Sequence, residues 1–279
     1  MKNIKAIALD LDGTLLDDDK KISSYSFGIL KECISRGIEV IVVTGRAYSV
    51  IPKEILDLEG IHYAITCNGA RILKIKHTEI PEVLYQSLLS VKIAEKLIEA
   101  GAPFQAVPEI IIDGISYIGE EVLKDIHRYF SDIQTAEYIL KTRKPASNVL
   151  EMLKKENKEL DKLQFFFQDE EDRQKALIKF QKMLDIEATS SISNNIEIGC
   201  LGTNKGNALE LFMPSLGIPM QEVMAFGDGF NDVEMIQKSG IGIAMKNGKQ
   251  EVKEVAKYIT KEDNNNDGVC RTIETFLAK

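Results

Sequence analysis

Several large functional classes are marked by features that this sequence lacks. Its 279 residues contain no apolar run near the roughly 20 residues that a membrane span requires. The first residues pass directly into a strand-like run, without the charged, apolar and small-residue layout of a secretory leader. Together these predict a cytoplasmic chain with no membrane partner. Positive charge is in deficit: 35 lysines and arginines against 43 acids leave a net charge of −8, which argues against a nucleic-acid footprint. The four cysteines, Cys33, Cys67, Cys200 and Cys270, are scattered with no Cys-x-x-Cys pair, so they read as reduced thiols and not as a zinc site. His62, His77 and His127 each stand alone, and no Ser-His-Asp set is apparent. Neither a G-x-x-x-x-G-K-[ST] loop nor a G-x-G-x-x-G at the first turn is present. What the chain does offer is acid at the ends of apolar runs.

The first such run leads from Ile4 to Leu9 into Asp10-Leu11-Asp12-Gly13-Thr14. It reads as a buried parallel strand ending in a carboxylate. If the extended backbone persists to Asp12, the period of two points Asp10 and Asp12 the same way. Gly13 then permits a tight turn that presents backbone N–H groups to the same volume. Two acids so close require a cation or a shared proton. Asp-x-Asp-Gly-Thr arises by chance in on the order of one in a few hundred chains of this length, so residues further along the chain must decide the reading.

Asp17-Asp18-Asp19 with Lys20-Lys21 reads as a solvated loop before a helix that Ser23 or Ser24 caps. A strand over Glu39–Val43 ends in Thr44-Gly45-Arg46, and strand, helix and strand make a βαβ unit. A helix over Ala47–Leu58, a strand over Tyr63–Thr66 and a hairpin turn at Asn68-Gly69 come next. From about Leu84 the pattern changes to short strands (104–107, 110–112, 115–118, 163–168) mixed with helices (90–100, 120–130, 147–158, 170–184). This predicts an inserted α+β domain over residues 84–192, within an α/β core made of residues 1–83 and 193–279. The βα pattern is expected to resume at Ile196-Glu197-Ile198. Beyond it lie Gly202-Thr203-Asn204-Lys205-Gly206 at a helix start, a strand over Glu222–Phe226 ending in Gly227-Asp228-Gly229-Phe230-Asn231-Asp232, and a strand over Ile241–Ala244. Asn264-Asn265-Asn266 reads as a polar loop.

Ligands of open parallel sheets bind beyond the carboxyl ends of the strands. Asp10, Asp12, Thr44, Gly45, Arg46 and Asp228 all fall there, with Lys205 at a helix start. Hard carboxylate oxygens suit Mg²⁺, and a cation together with Lys205 makes a phosphoryl group welcome among acids. With other nucleophiles missing, an aspartate remains, and aspartate can form an acyl phosphate. Asp10 is the candidate nucleophile, Asp12 the acid and base, and Thr44 with Lys205 the holders of the phosphoryl oxygens. Singly, each piece has an ordinary structural explanation; their order and placement at strand ends set them apart.

Asp10-x-Asp12-Gly-Thr, Thr44-Gly-Arg46, Asn204-Lys205-Gly206 and Gly227-Asp228-x-x-Asn231-Asp232 resemble the four motifs of the haloacid dehalogenase superfamily. The long insertion, Asn68-Gly69 and Asp267-Gly268-Val269 resemble its Cof-type, subfamily IIB phosphatases. The resemblance implies a Rossmann-like parallel-sheet core with an inserted α+β cap domain. It implies Mg²⁺ held by the Asp10 carboxylate, the Asp12 carbonyl and Asp228, with Asp232 in the outer shell. Phosphate contacts would come from Leu11, Thr44, Gly45, Arg46, Lys205 and Asn231. The expected activity is hydrolysis of small phosphorylated metabolites, such as sugar phosphates, beneath a cap that closes to exclude water. Transfer to a second hydroxyl, as in a phosphomutase or phosphotransferase, and non-catalytic phosphometabolite binding are the alternatives. Within the insertion, Phe104, Gln105, Tyr117, Phe165 and Phe167 either line a pocket or fill the domain's own core.

Overall fold

Ala6-Ile7-Ala8-Leu9 is apolar at every position and buried throughout, as a strand covered on both faces must be. In the computed structural model, which describes residues 4–76, 80–130, 133–182, 186–192 and 194–277, this run is strand β1 (Ala6–Leu9). His77 lies outside the described residues. The chain divides into two units: Met1–Arg46 with Ile51–Gln86 and Asn204–Lys279, and Ala47–Val50 with Ser87–Thr203.

In the first unit β1 is followed by α1 (Ser24–Ser35), β2 (Glu39–Val43), α2 (Lys53–Leu56), β3 (Tyr63–Thr66), β4 (Arg71–Lys74) and β5 (Glu82–Gln86). Ser23 caps α1, its hydroxyl accepting from the Ser26 amide at 3.0 Å. The single helix expected over residues 47–58 is instead a 3-10 turn at Tyr48–Val50 and the short α2. Pro52 stands between them, and proline cannot continue a helix from its own N-terminal side.

The second unit contributes α3 (Val91–Gly101), β6 (Val107–Ile112), β7 (Ile115–Gly119), α4 (Glu120–Lys124), α5 (Ile126–Tyr129), α6 (Ile133–Thr142), β8 (Lys144–Ala146), α7 (Val149–Glu156), β9 (Lys162–Phe166), α8 (Glu170–Gln181), β10 (Ile186–Thr189) and β11 (Asn195–Cys200). Its sheet has the order β10-β11-β9-β6-β7-β8, antiparallel except between β7 and β8. Asp113 and Gly114 both have positive φ, 51° and 73°, and form a two-residue hairpin turn between β6 and β7, as an Asp-Gly pair favours. The strand expected over 104–107 does not form: Phe104 ends a 3-10 turn at Ala102–Phe104, Gln105 caps it with positive φ, and only Val107 joins the strand expected over 110–112, which starts earlier as β6.

One face of this sheet packs Ile110, Leu163, Phe165, Phe167 and Ile198 against Leu97 and Phe180 from the helices. Phe165 and Phe167 are therefore core, and Phe104 and Tyr117 pack against that core half-buried. On the other face Glu109, Gln164 and Glu197 stand in register on three adjacent strands. Their buried charges are paired: Lys162 Nζ donates to Glu197 at 2.9 Å and Arg143 Nε to Glu109 at 3.1 Å.

The strand over Ile196–Ile198 corrects the expected return to the core. It lies in β11 and pairs antiparallel with β9 and β10 of the second sheet. Asn195-Ile196-Glu197-Ile198 alternates polar and apolar residues, which suits an antiparallel strand with unlike faces and not a doubly covered parallel one.

The first unit resumes with α9 (Lys205–Phe212), β12 (Val223–Gly227), α10 (Val233–Lys238), β13 (Ile241–Ala244), α11 (Gln250–Val255), β14 (Tyr258–Ile259) and α12 (Gly268–Leu277). Its eight-stranded sheet has the order β14-β13-β12-β1-β2-β3-β4-β5. The strands from β14 to β3 run parallel, and β4 and β5 are antiparallel. One face buries Ala6, Ala8, Ile41, Val43 and Ala225 against Leu209, Met235 and Val252 of α9, α10 and α11. Thus β1 lies between β2, its neighbour in sequence, and β12, which comes after the insertion; this switch point opens a crevice at the carboxyl ends. Among the described residues no helix is long and apolar enough to cross a membrane.

Candidate active site

Asp10 follows β1, Thr44-Gly45-Arg46 follows β2, and Gly227-Asp228 closes β12, so three adjacent strands deliver their ends to one crevice. Lys205 is the first residue of α9. Asn204 caps that helix by accepting from the Asn207 amide at 2.7 Å, which fixes where the lysine leaves the backbone. Its side chain is fully buried, with Nζ 2.6 Å from Asp10 Oδ1 and 2.7 Å from Asp232 Oδ1. Lys205 thus joins the first motif to the last. No hydrogen bond to Asp10 Oδ2 is present among the described residues.

The Asp232 carboxylate also accepts from the backbone amides of Asp228 and Gly229, at 3.0 and 2.9 Å. The Thr14 hydroxyl donates to Asp228 Oδ1 at 3.1 Å. Carboxylate oxygens of Asp10, Asp228 and Asp232 all lie within 4.8 Å of one another. Burial pushes the Asp10 carboxyl well above the usual carboxylate range; Lys205 pulls it down, while Asp232 and Asp228 push it further up. Burial, and then the charge of Asp232, bring Asp228 up to about 7. Lys205 is held protonated beyond the usual lysine range, because burial is outweighed by its two carboxylate partners.

The fit of a metal can be judged from this charge inventory. Three carboxylates and one ammonium leave two negative charges uncompensated in a buried volume, and a divalent cation cancels them. The donors are hard oxygens. Gly13 keeps the space beside Asp228 open: its φ is +71°, and a Cβ there would lie 2.4 Å from Asp228 Oδ2.

Asp12 departs from the expected geometry. The strand ends at Leu9 and a turn begins at Leu11, so the alternation that was to align Asp10 with Asp12 is broken. The two side chains take different partners. Arg46 grips Asp12 with both arms, Nε to Oδ2 at 2.6 Å and Nη2 to Oδ1 at 2.7 Å, and Lys20 Nζ lies 3.0 Å from Oδ1. Burial would raise the Asp12 carboxyl, but Arg46 and then Lys20 outweigh it and hold the group well below the usual range. Arg46, expected beside phosphate, is therefore placed on Asp12.

Lys20 was not singled out in the sequence. The acidic loop that carries it is pinned rather than free. Asn264 and Asn265 donate to the Asp18 carboxylate at 3.1 and 3.0 Å, and Asn265 Oδ1 accepts from the Asp18 amide at 3.1 Å. The remaining expected residues are also here. Leu11 is buried and its carbonyl accepts from the Leu16 amide at 2.9 Å. The Thr44 hydroxyl accepts from the Arg46 amide at 3.1 Å, Gly45 is half-buried between them, and buried Asn231 donates from Nδ2 to Asn68 at 3.0 Å.

A family model of haloacid dehalogenase-like hydrolases matches residues 7–273. The chain is 31% identical over 275 residues to 5-amino-6-(5-phospho-D-ribitylamino)uracil phosphatase YcsE of Bacillus subtilis, covering 99% of this chain and 96% of that protein. It is 29% identical to pyridoxal phosphate phosphatase YbhA of Escherichia coli, covering 98% of each. Among solved structures it resembles the subclass IIB sugar phosphatase BT4131, with a TM-score of 0.81, 25% identity and 98% of each chain covered. The fold is accordingly α/β, a Rossmann-like core with an inserted α+β cap domain. The chain belongs to the haloacid dehalogenase-like hydrolases, in their Cof-type, subfamily IIB branch.

Proposed function

We propose that the protein is a Mg²⁺-dependent phosphatase of small phosphorylated metabolites and that Asp10 is transiently phosphorylated during turnover. The observation that carries this reading is the cluster of buried Asp10, Asp232 and Lys205 with half-buried Asp228, whose charge a divalent cation would balance. The relatives support the substrate class. Their names give a phosphoribityl-aminouracil, pyridoxal phosphate and sugar phosphates, all small alcohols esterified with phosphate.

Asp10, Asp228 and the Asp12 carbonyl would hold the Mg²⁺, with Asp232 behind them. Bound there, the ion supplies charge neutralisation for an incoming phosphoryl group. An oxygen of the Asp10 carboxylate attacks phosphorus, and the ester P–O bond breaks with its electron pair leaving on the alcohol oxygen. The Leu11 and Gly45 amides, the Thr44 hydroxyl, Lys205 and Asn231 hold the remaining phosphoryl oxygens as charge spreads over them. Water then attacks phosphorus, Asp12 accepts its proton, and phosphate departs from a regenerated Asp10. Arg46 and Lys20 keep Asp12 ionised, which suits it to this second half. To protonate an alkoxide in the first half, Asp12 must take up a proton, for instance one brought in on the phosphate monoanion.

EDTA-treated protein is expected to be inactive on an aryl phosphate, and Mg²⁺ to restore turnover. A second readout is independent of activity. In metal-free protein Asp228 has a folded-state value near 7 against an ordinary 3.8. Its ionisation therefore costs nothing below about pH 4 and progressively more stability as pH rises through 7. Mg²⁺ should raise the melting midpoint most at pH 8 and least at pH 5. A pH-independent effect of Mg²⁺ on the midpoint, or full activity in EDTA, would count against the metal assignment.

A further inference from the structure

The turn Cys67-Asn68-Gly69 closes β3 and takes no part in the steps above. All three residues have positive φ, at 51°, 57° and 101°. For Cys67 and Asn68 this is a sparsely populated conformation, which persists only when the surroundings enforce it. Here they do. The Cys67 amide donates to the Arg46 carbonyl at 2.9 Å and the Asn68 amide to the Thr44 carbonyl at 3.1 Å. Gly69 lies so close to the start of α9 that a Cβ would sit 2.5 Å from the Asn204 carbonyl oxygen. The turn therefore touches the Thr44–Arg46 segment, the cap of the Lys205 helix and, through its side chain, the last motif.

That last contact is specific. Asn68 and Asn231 are both buried, and Asn231 Nδ2 donates to Asn68 Oδ1 at 3.0 Å. An amide nitrogen carries two N–H groups. One is taken by Asn68, which leaves the other for an oxyanion. If the amide turned over, its carbonyl oxygen would face that of Asn68, two acceptors with no proton between them. Asn68 thus decides which end of Asn231 is presented.

We propose that Asn68 is a positioning residue, held in a strained turn so that its side-chain oxygen orients the Asn231 amide as a donor to the phosphoryl group. This rests on the phosphatase reading, in which Asn231 faces the phosphate. Asn68→Gly is the informative variant, since glycine accepts positive φ without strain and removes only the side chain.

Two measurements test it. Asn68→Gly should lower kcat/KM on an aryl phosphate by about 10- to 100-fold, as expected for one lost charge-assisted contact, with the melting midpoint preserved. In an Asn231→Ala background the same substitution should have no further effect, because a residue acting through another is silent once that other is gone. Hydrogen exchange of the Asn231 side-chain NH₂, measured by NMR in the absence of substrate, should accelerate in Asn68→Gly. Unchanged exchange, or losses that multiply in the double variant, would overturn the assignment. The exchange result holds whatever reaction the enzyme performs, so its failure is distinct from a failure of the phosphatase reading.

Discussion

Asp10→Asn is expected to lower turnover of an aryl phosphate by about four to six orders of magnitude, the scale seen when a covalent nucleophile is removed. An aryl leaving group needs no protonation, so the loss isolates the attack on phosphorus. The fold should survive. Burial pushes the Asp10 carboxyl upward, so a neutral amide of the same shape removes a buried charge that the metal-free protein accommodates poorly. The Lys205 ammonium retains Asp232 at 2.7 Å. At pH 8 and without metal, the midpoint of Asp10→Asn should not fall below that of the native sequence. Activity within tenfold of the native enzyme would remove Asp10 from the mechanism, and a collapsed midpoint would mean that its charge is structural.

Lys205→Met is expected to cost both stability and rate. The side chain is fully buried between two carboxylates, and deleting one member of a buried ionic cluster costs about 3–5 kcal/mol because the partners are left uncompensated. For a domain of this size that lowers the melting midpoint by roughly 10 °C. The loss should shrink as pH falls, because protonating Asp10 removes part of the uncompensated charge. Turnover should drop by about 10²- to 10³-fold with Mg²⁺ present, the scale for removing one group that stabilises developing charge. An unchanged midpoint at pH 8 would show that Lys205 does not compensate these acids.

How much of this was legible in the sequence varies with the physical origin of each feature. Asp10, Thr44, Lys205 and Asp228 were legible because each follows a strand or opens a helix, and backbone direction alone then brings them to one crevice. Partner choice among side chains was not. Arg46 was placed on phosphate and Asp12 beside Asp10, whereas a turn at Leu11 redirects Asp12 onto Arg46 and Lys20. Lys20 lies in a charged run that composition reads as solvated; its position depends on Asn264 and Asn265, far away in sequence. Asn68 was legible as a turn residue, but its bond to Asn231 spans 163 positions and leaves no local trace.

The insertion is less legible in the sequence, for definite reasons. Strands β8 and β10 are only three and four residues long, too short to show a period; helix α6, by contrast, carries Ile133, Ala136, Tyr138, Ile139 and Leu140 at helical spacing, a signal that was there to be used. The segment Ala47–Val50 looked like the start of a core helix. In the structure Ser49 Oγ donates to the Gly114 carbonyl at 2.6 Å, which ties those residues to the hairpin of the second unit. The alternation in Asn195–Ile198 was a usable signal that weighed less than its position before the third motif.

The central claim is that Asp10 carries the phosphoryl group, and trapping that adduct tests it most directly. In Asp12→Asn an aryl phosphate should still phosphorylate Asp10, while hydrolysis slows for want of a base, so the adduct accumulates after a burst of phenol. Borohydride reduces an acyl phosphate to the alcohol, and peptide mass spectrometry should then find homoserine at position 10. Homoserine at position 12, 228 or 232, or a burst that leaves residue 10 as unreduced aspartate, would contradict the account.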